Sequence, residues 1–481
     1  MDLTDRLSKS RFVAGLQCPL RLYLSVHRRD LATPPTPALQ ARFAVGNRVG
    51  ALAQARYPGG VLVAEDHFHQ REAVATTGRL MAEGVRDIFE AAFTYDDIKV
   101  RVDVLHKLED GGWELIEVKS TTRYDAAKHQ PDVGVQTYVL RGAGVDVRRV
   151  TLMHLDTGYV YPGGEYDPHS ILAATNVTAD AFAYAETVAP LVAEMMRVLA
   201  LPRPPEIACG RQCTTPYECE FAAWCTRDAS DGDQSDVPVR VDSSALRRLE
   251  RAPHPLFFAD FETINPALPL FPGTSPYQVI PVQWSLHRLD ADGTLTHKEG
   301  LFATPGEDPS EAFLTSLLDA LGDTGTFVHY SSYELTRLVE LGVRFPHLRE
   351  RLLATLPGLY DRLGGKLLDR GEQLDLPRPE GGLSLLDLGR DVVKPACDHP
   401  AFGGGKWSIK IAVRLLAPDL PAYSSLAVSD GAEAMLAIEE LLSPETPSER
   451  AEAVREALLG YCKQDTLAMV EIYRTLAAHL E

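Results

Sequence analysis

Residues 98–120, IKVRVDVLHKLEDGGWELIEVKS, hold the pattern that decides the fold of the N-terminal part of this chain. Apolar and polar residues alternate over 98–108 and again over 113–120, which is the period of a half-buried β-strand. The intervening EDGG segment is typical of a hairpin turn. The sequence therefore predicts two antiparallel strands joined by a short turn.

Around this hairpin, apolar periodicity predicts further elements of both kinds. A helical period covers 39–57, 70–93 and 130–142, and an apolar stretch typical of a strand follows at 150–155. Alternating helices and strands of this length indicate a mixed α/β core.

Three charged residues of the hairpin are expected on one face. Asp103 lies on the first strand, while Glu117 and Lys119 lie two residues apart on the second and so project to the same side. Two carboxylates hold Mg²⁺ through oxygen ligands, and a nearby lysine orients or deprotonates water and offsets phosphate charge. This is the residue set of a metal-dependent nuclease, although a lone Glu-x-Lys is usually a solvent-facing charge pair.

Four of the seven cysteines form a second pattern. Cys18 stands alone near the N-terminus, and Cys213, Cys219 and Cys225 follow with C-x5-C-x5-C spacing. Local zinc sites usually combine two close pairs, so a one-plus-three division indicates a metal centre that joins both ends of one domain. The spacing favours an iron–sulfur cluster, with a four-cysteine zinc site as the alternative. Cys209 is a competing ligand.

In the C-terminal part, the apolar stretch LFFADFE places Asp260 and Glu262 on one face of a strand. Burying two carboxylates together is unfavourable unless cations or partners compensate them, which favours a functional role. Tyr461 and Asp465 lie four residues apart, and therefore on one face of a helix over 449–479.

Further elements are expected between these two motifs. Strands are predicted over 277–289 and 326–330, and helices over 333–341 and 408–416. Lys406 and Lys410, beside the start of the last of these helices, are candidates for nucleic-acid contact.

Length and composition bound the domain organisation. A chain of 481 residues, 45% of them hydrophobic and 24% charged, exceeds what one core usually supports. The acidic segment DASDGDQSD at 228–236 has no apolar period and indicates a linker. We therefore expect a domain over 1–226, a linker over 227–250 and a second domain over 251–481.

Charge and targeting signals narrow the partners. The net charge of −19 opposes a polyanion at long range, but residues 1–60 hold nine Lys or Arg against three Asp. The sequence has no apolar run of eighteen residues and no apolar segment at its N-terminus. These features predict a cytoplasmic protein without a membrane partner, and an odd cysteine count there favours thiol or metal chemistry over disulfides.

Residues 1–226 resemble the RecB-like branch of the PD-(D/E)xK nucleases, and in particular its iron–sulfur members. The resemblance implies a restriction-endonuclease-like α/β fold, an active site with a Gln and a Tyr beside it, and a [4Fe–4S] cluster. One family feature is missing, because a G-x-x-x-H motif is replaced by Gly46-Asn-Arg-Val-Gly50. The matching residues are Cys18-Pro19, Asp103, Glu117, Lys119, Gln136, Tyr138 and the CTTPYECEFAAWC segment with Cys213, Cys219 and Cys225.

Residues 251–481 resemble the DEDD exonucleases of the ribonuclease H-like fold, in the subtype whose last motif is Y-x3-D. The resemblance implies that Asp260, Glu262 and Asp465 bind two divalent metals, and that Tyr461 positions the attacking water. The third acidic position is Asp in that family. Glu334 is the best match here, with Asp387 as a possible substitute.

The order of the two parts resembles bacterial proteins that join a RecB-like iron–sulfur nuclease to a C-terminal domain of unknown function. It implies a Mg²⁺- or Mn²⁺-dependent nuclease that cleaves DNA, single-stranded or with a free end. Two alternatives remain open. The chain is a non-catalytic nucleic-acid-binding scaffold in repair or defence, or its second domain is an RNA-processing 3'-5' exonuclease.

Overall fold

The computed structural model describes residues 7–66, 68–227, 237–405 and 407–480. The expected acidic linker at 228–236 and Lys406 lie outside these ranges. The chain forms two compact units, the first comprising Met1–Ser230 with Ala267–Gln278 and the second comprising Asp231–Pro266 with Val279–Glu481. None of the described helices combines the length and apolar character needed to cross a membrane.

The first unit is a mixed α/β structure, as predicted. Its elements are β1 (Leu7–Ser8), α1 (Lys9–Gln17), α2 (Pro19–His27), α3 (Pro37–Ala55), β2 (Val61–Leu62), α4 (Gln70–Ala82), β3 (Asp87–Tyr95), β4 (Ile98–Lys107), β5 (Trp113–Lys119), α5 (Ala126–Gly142), β6 (Val147–Leu155), α6 (Pro168–Ile171), β7 (Leu172–Asn176), α7 (Thr178–Ala185), α8 (Val188–Leu199) and α9 (Ala222–Thr226).

The predicted hairpin is present at the centre of this unit's sheet. The strand order is β2-β3-β4-β5-β6-β7, and β1 pairs with β4 outside this path. β4 and β5 pair antiparallel, whereas β5 and β6 pair parallel, with α5 as the connection between them. Leu115 on β5 and Leu152 on β6 are fully buried and share one hydrophobic core with residues of the helices.

The helix predicted over 70–93 is wrong in its second half. α4 ends at Ala82, Gly84 adopts a φ of +79°, and residues from Asp87 form β3. The segment DIFEAAF contains helix-forming Glu and Ala, but pairing with β4 buries Ala91 and Ala92 completely. Tertiary pairing therefore overrides the local preference.

Local capping fixes the N-terminal helices. The Ser8 side chain accepts a hydrogen bond from the Arg11 backbone N–H and so begins α1. Pro19 occupies the first turn of α2, where a missing N–H is harmless. Cys18 consequently lies at the junction of two helices, and Lys9 lies in the first turn of α1.

A segment from the middle of the chain completes the first unit. Ala267 and Leu268 pack with buried residues of this unit, among them Tyr159. The Tyr277 hydroxyl donates a hydrogen bond to the carbonyl of Ser120, directly after β5. In sequence, however, these residues interrupt the second unit, which contains the stretches directly before and after them.

The second unit is also mixed α/β. Its elements are β8 (Arg240–Val241), α10 (Arg247–Glu250), β9 (Leu256–Ile264), β10 (Ile280–Leu289), β11 (Leu295–Leu301), α11 (Ser310–Ala320), β12 (Thr326–His329), α12 (Tyr333–Arg344), α13 (Arg349–Thr355), α14 (Tyr360–Leu368), β13 (Ser384–Asp387), α15 (Lys394–Ala396), β14 (Cys397–Asp398), α16 (Ile409–Leu416), α17 (Gly431–Leu442) and α18 (Ser448–Ala477).

The main sheet of this unit has the order β11-β10-β9-β12-β13. β9 pairs antiparallel with β10 and parallel with β12, so it occupies the centre of the sheet. β8 pairs with β14, and Leu246 and Leu249 are buried in the core of this unit. Residues 237–250 of the expected linker thus belong to the second unit.

Polar contacts fix α18 against this sheet. The Gln283 side-chain amide donates to the carbonyl of Leu458 at 3.0 Å. About two turns further along, the Thr466 hydroxyl lies 2.8 Å from both the Ser285 hydroxyl and the His287 ring. These bonds hold the helix segment between Leu458 and Thr466 in a fixed register above β9 and β10.

We expect Gly325→Ala to destabilise the second unit by roughly 2–4 kcal/mol. Gly325 has a φ of +117°, and a Cβ there would lie 2.2 Å from the carbonyl oxygen of Pro255, which accepts a bond from Thr326. Gly293→Ala is the control, because Gly293 has a φ of +87° with open space around it and should lose only about 1 kcal/mol. Urea denaturation measures both, and equal losses would contradict the steric explanation.

Candidate active sites

Glu117 is the centre of a charged cluster in the first unit. Its side chain is only 1% exposed. The Lys9 ammonium lies 2.8 Å from Oε1 and 3.0 Å from Oε2, and the Lys119 ammonium lies 2.8 Å from Oε1. The Gln136 amide donates to Oε2 at 2.7 Å. Both carboxylate oxygens of Glu117 are therefore occupied by donors.

Two further carboxylates adjoin this cluster. Lys119 also lies 2.6 Å from Oδ2 of Asp132, which projects from α5. Asp103 on β4 accepts a hydrogen bond of 2.6 Å from the Val118 backbone N–H. The structure thus brings together Asp103, Glu117, Lys119 and Gln136, as the sequence predicted.

The two predicted metal ligands of this cluster have opposite pKa shifts. Burial and the nearby Glu117 charge raise the pKa of Asp103 to about 7. Burial also raises the pKa of Glu117, but the ammonium groups of Lys119 and Lys9 outweigh it and leave that pKa below its ordinary value. At neutral pH Glu117 is therefore ionised, whereas Asp103 is only partly ionised.

Tyr138 does not join this cluster. Its hydroxyl donates to Oδ2 of Asp96 at 2.6 Å, and its ring packs edge-on against Tyr95. Gln136 and Tyr138 are two residues apart on one helix, so their side chains leave it in widely different directions.

The sequence did not identify Lys9, Asp132 or Glu90. Lys9 reaches Glu117 because β1 pairs in parallel with β4 at the start of α1, a contact across 108 residues. Glu90 has a φ of +53° and lies between Phe89 and Ala91, which both pair with β4 in an unchanged register. Burial raises its pKa, and it interacts electrostatically with Lys9 and Glu117.

The cysteines of the first unit meet around a small cavity. Cys18, Cys213, Cys219 and Cys225 line it together with Cys209. Burial raises the pKa of Cys219, and it raises that of Cys225 to about 11, so both thiols are neutral without a bound cation.

Hydrogen bonds tie the two ends of the first unit together at this cavity. The Gln17 amide donates at 2.7 Å to the carbonyls of both Gln212 and Tyr217. Arg21 forms an ion pair of 2.7 Å with Glu220. These thiols come from the N-terminal helices and from residues 209–225, and together they suit a metal ion or cluster that is bound through sulfur.

Carboxylates also cluster in the second unit, around the central strand β9. Glu262, Glu334 and Asp465 are buried, and Asp260 is partly exposed. Asp465 accepts a hydrogen bond of 2.5 Å from the Tyr423 hydroxyl. The structure thus brings the predicted acids of β9, α12 and α18 into one electrostatically connected group.

Burial and mutual repulsion raise the pKa values of this group. Burial, and then the charges of Asp465 and Glu262, raise the pKa of Asp260 well above its usual range. Burial raises the pKa of Asp465 to about 6 and, with Asp387, that of Glu334 to about 7. Because these acids repel one another when they are ionised, the binding of cations beside them is favourable.

Of the two candidates for the third acidic position, the geometry favours Glu334. Its charge raises the pKa values of both Asp260 and Glu262. Its Oε2 atom is buried and has no hydrogen-bond partner among the described residues. Asp387 instead accepts a hydrogen bond from the Arg390 backbone N–H at 2.8 Å.

Tyr461 is buried beside this group, and its side chain interacts with Asp465. Tyr423 and Lys410 were not identified as parts of this site. The Lys410 ammonium lies 5.1 Å from the centre of the Tyr423 ring and 5.7 Å from that of Tyr461. Its charge lowers the pKa values of Glu262 and Asp465.

Comparison with known proteins finds one matching family model, which covers part of the second unit together with the segment Ala267–Gln278 of the first. The family model described as a domain of unknown function, DUF2779, matches residues 257–364, a stretch that includes Asp260, Glu262 and Glu334. No curated protein matches the chain. A solved structure described as "Crystal structure of SSO0001" is 13% identical, covers 46% of this chain and 85% of its own, and has a TM-score of 0.22, which supports no conclusion about fold or activity.

We predict that anaerobically purified protein contains iron and absorbs visible light, and that Cys213→Ser loses both. Cys209→Ser should retain them, because Cys209 lies outside the proposed ligand set. Cys397→Ser, which changes a buried thiol of the second unit, is the control. Metal analysis with visible absorption measures the outcome. Zinc in place of iron would support the alternative, and iron loss in Cys209→Ser would require a new ligand assignment.

The metal-free protein should lose stability as pH rises from about 4, and the loss should be nearly complete by about pH 8. The folded pKa values of Asp465 and Glu334, about 6 and 7, exceed the ordinary values of 3.8 and 4.5, so the folded state binds protons that the unfolded chain has released. That advantage is lost as pH rises through the folded pKa values. Asp260→Asn should recover on the order of 1–3 kcal/mol at pH 8 by removing one repelling charge.

Thermal unfolding in EDTA across this pH range measures the effect. Asp419→Asn, an exposed aspartate of the same unit, is the control and should follow the parent protein. Superimposable pH profiles for Asp260→Asn and the parent would contradict the assigned repulsion.

Proposed function

We propose that this protein is a metal-dependent nuclease that hydrolyses phosphodiester bonds of DNA, single-stranded or with a free end. The observation that carries the proposal is the group of Asp260, Glu262, Glu334 and Asp465, whose buried charges lack full compensation within the described residues. The oxygen-rich donor set and the unpartnered oxygen of Glu334 fit Mg²⁺ or Mn²⁺.

The residues of the second unit have distinct expected roles. Asp260, Glu262, Glu334 and Asp465 would hold the metal ions, which supply Lewis acidity and lower the pKa of a bound water. Tyr461 orients the water for in-line attack on phosphorus. The Lys410 ammonium group, whose charge acts on Asp465, offsets negative charge on the phosphate.

The first unit supports the same chemistry through different residues. Asp103 and Glu117 would hold a divalent cation, and Lys119 would orient water and contact the phosphate. Here the lysines already compensate Glu117, so a metal must displace the contact between Glu117 and Lys9. The support for cleavage is therefore stronger in the second unit.

This difference favours a second candidate function for the first unit. A carboxylate whose oxygens are both occupied by Lys9, Lys119 and Gln136 is typical of a structural ion-pair network. The first unit would then bind nucleic acid through Lys9, Lys119 and the basic N-terminal residues, and would present it for cleavage without cutting it.

Separate variants of the two sites test these proposals. We expect Asp260→Ala to reduce cleavage of end-labelled single-stranded DNA in Mn²⁺ or Mg²⁺ by at least about a hundredfold, because it removes a metal ligand. Lys119→Ala should reduce it similarly if the first unit cuts, and only weaken binding if it presents the substrate.

Asp292→Ala and Lys128→Ala change exposed residues of the same units and serve as controls. A matched RNA strand in the same assay distinguishes a DNA nuclease from an RNA-processing enzyme. Undiminished cleavage in both site variants would exclude both active-site assignments, and DNA binding without any cleavage would support a scaffold.

A further inference from the structure

A buried thiol lies within the carboxylate group of the second unit. Cys462 on α18 has no exposed surface, and its Sγ lies 3.5 Å from Oδ2 of Asp260. One ligand atom from each of Asp260, Glu262 and Cys462 lies within 4.8 Å of the other two.

A second observation, in the same group of carboxylates, favours the binding of a cation. Glu334 is 5% exposed, and its Oε2 has no hydrogen-bond partner among the described residues. Its charge acts on both Asp260 and Glu262. An unpartnered buried carboxylate oxygen is unfavourable, and a cation among these side chains would satisfy it.

We propose that Cys462 is a metal ligand, and that with Asp260 and Glu262 it makes the site select a divalent cation that accepts both sulfur and oxygen. Mn²⁺, Co²⁺ and Zn²⁺ belong to this class, whereas Mg²⁺ takes oxygen ligands almost exclusively. The inference rests on the proposed function, because it names the metal class of that site.

Ligation requires the thiolate, so the Cys462 proton is released to solvent as the sulfur–metal bond forms. The alternative is a structural thiol that donates a weak hydrogen bond to Asp260. Serine reproduces that hydrogen bond but is a far poorer ligand for a sulfur-preferring cation, so a Ser variant separates the two roles.

Anaerobic titration of the full-length protein with Co²⁺ tests the proposal through the near-ultraviolet absorption of cobalt–thiolate bonds. Cys462→Ser should lose part of this absorption and bind Co²⁺ at least about tenfold more weakly at this site. Cys397→Ser, another buried thiol of the same unit, should match the parent. Binding at the cysteines of the first unit is common to all these proteins and cancels in the difference spectra.

Identical cobalt spectra for Cys462→Ser and the parent would overturn the proposal. If Cys462→Ser does not fold, Glu262→Gln decides instead, because it keeps the thiol but removes a neighbouring ligand. It should lower the same absorption, and an unchanged spectrum would again overturn the proposal.

The outcome is distinguishable from that of the nuclease assay. Cobalt absorption that depends on Cys462 in a protein without cleavage activity would keep the metal site and reject the function. Cleavage in Mg²⁺ that depends on Asp260, without any contribution of Cys462 to the cobalt spectrum, would keep the function and reject this inference.

Discussion

The structure of both units depends on how buried carboxylates are compensated. In the first unit, two ammonium groups contact Glu117 directly, and the folded chain supplies its own counter-charge. In the second unit, Asp260, Glu262 and their neighbours face one another, with Lys410 the nearby cation identified among the described residues. Protons or metal ions must therefore supply the rest of the compensation.

This difference affects what each unit gains from binding a cation. A metal entering the first cluster competes with lysines that are covalently part of the chain and present at high local concentration. One entering the second replaces bound protons on acids whose pKa values are raised toward neutrality. Both exchanges become easier as pH rises, because Asp103 in the first cluster also has a pKa of about 7, but only the first requires a lysine to be displaced.

The sequence predicted those parts of both sites that local periodicity controls. Glu117 and Lys119 share a face because they are strand residues two apart, as are Asp260 and Glu262, and Asp103 meets them from the other strand of the predicted hairpin. Lys9 and Tyr423 could not be predicted, because each reaches its site through contacts between distant segments. The helical period extends into β3 because this segment contains helix-forming Ala and Glu, and it becomes a strand only by pairing with β4.

The segment Ala267–Gln278 has a consequence for the synthesis of the protein. The first unit includes these residues, yet they follow β9 of the second unit in the chain. A ribosome that has completed the cysteine segment has therefore not yet made all of the first unit, and part of the second emerges before the first is finished. The two units therefore cannot be obtained as complete bodies by cutting the chain once.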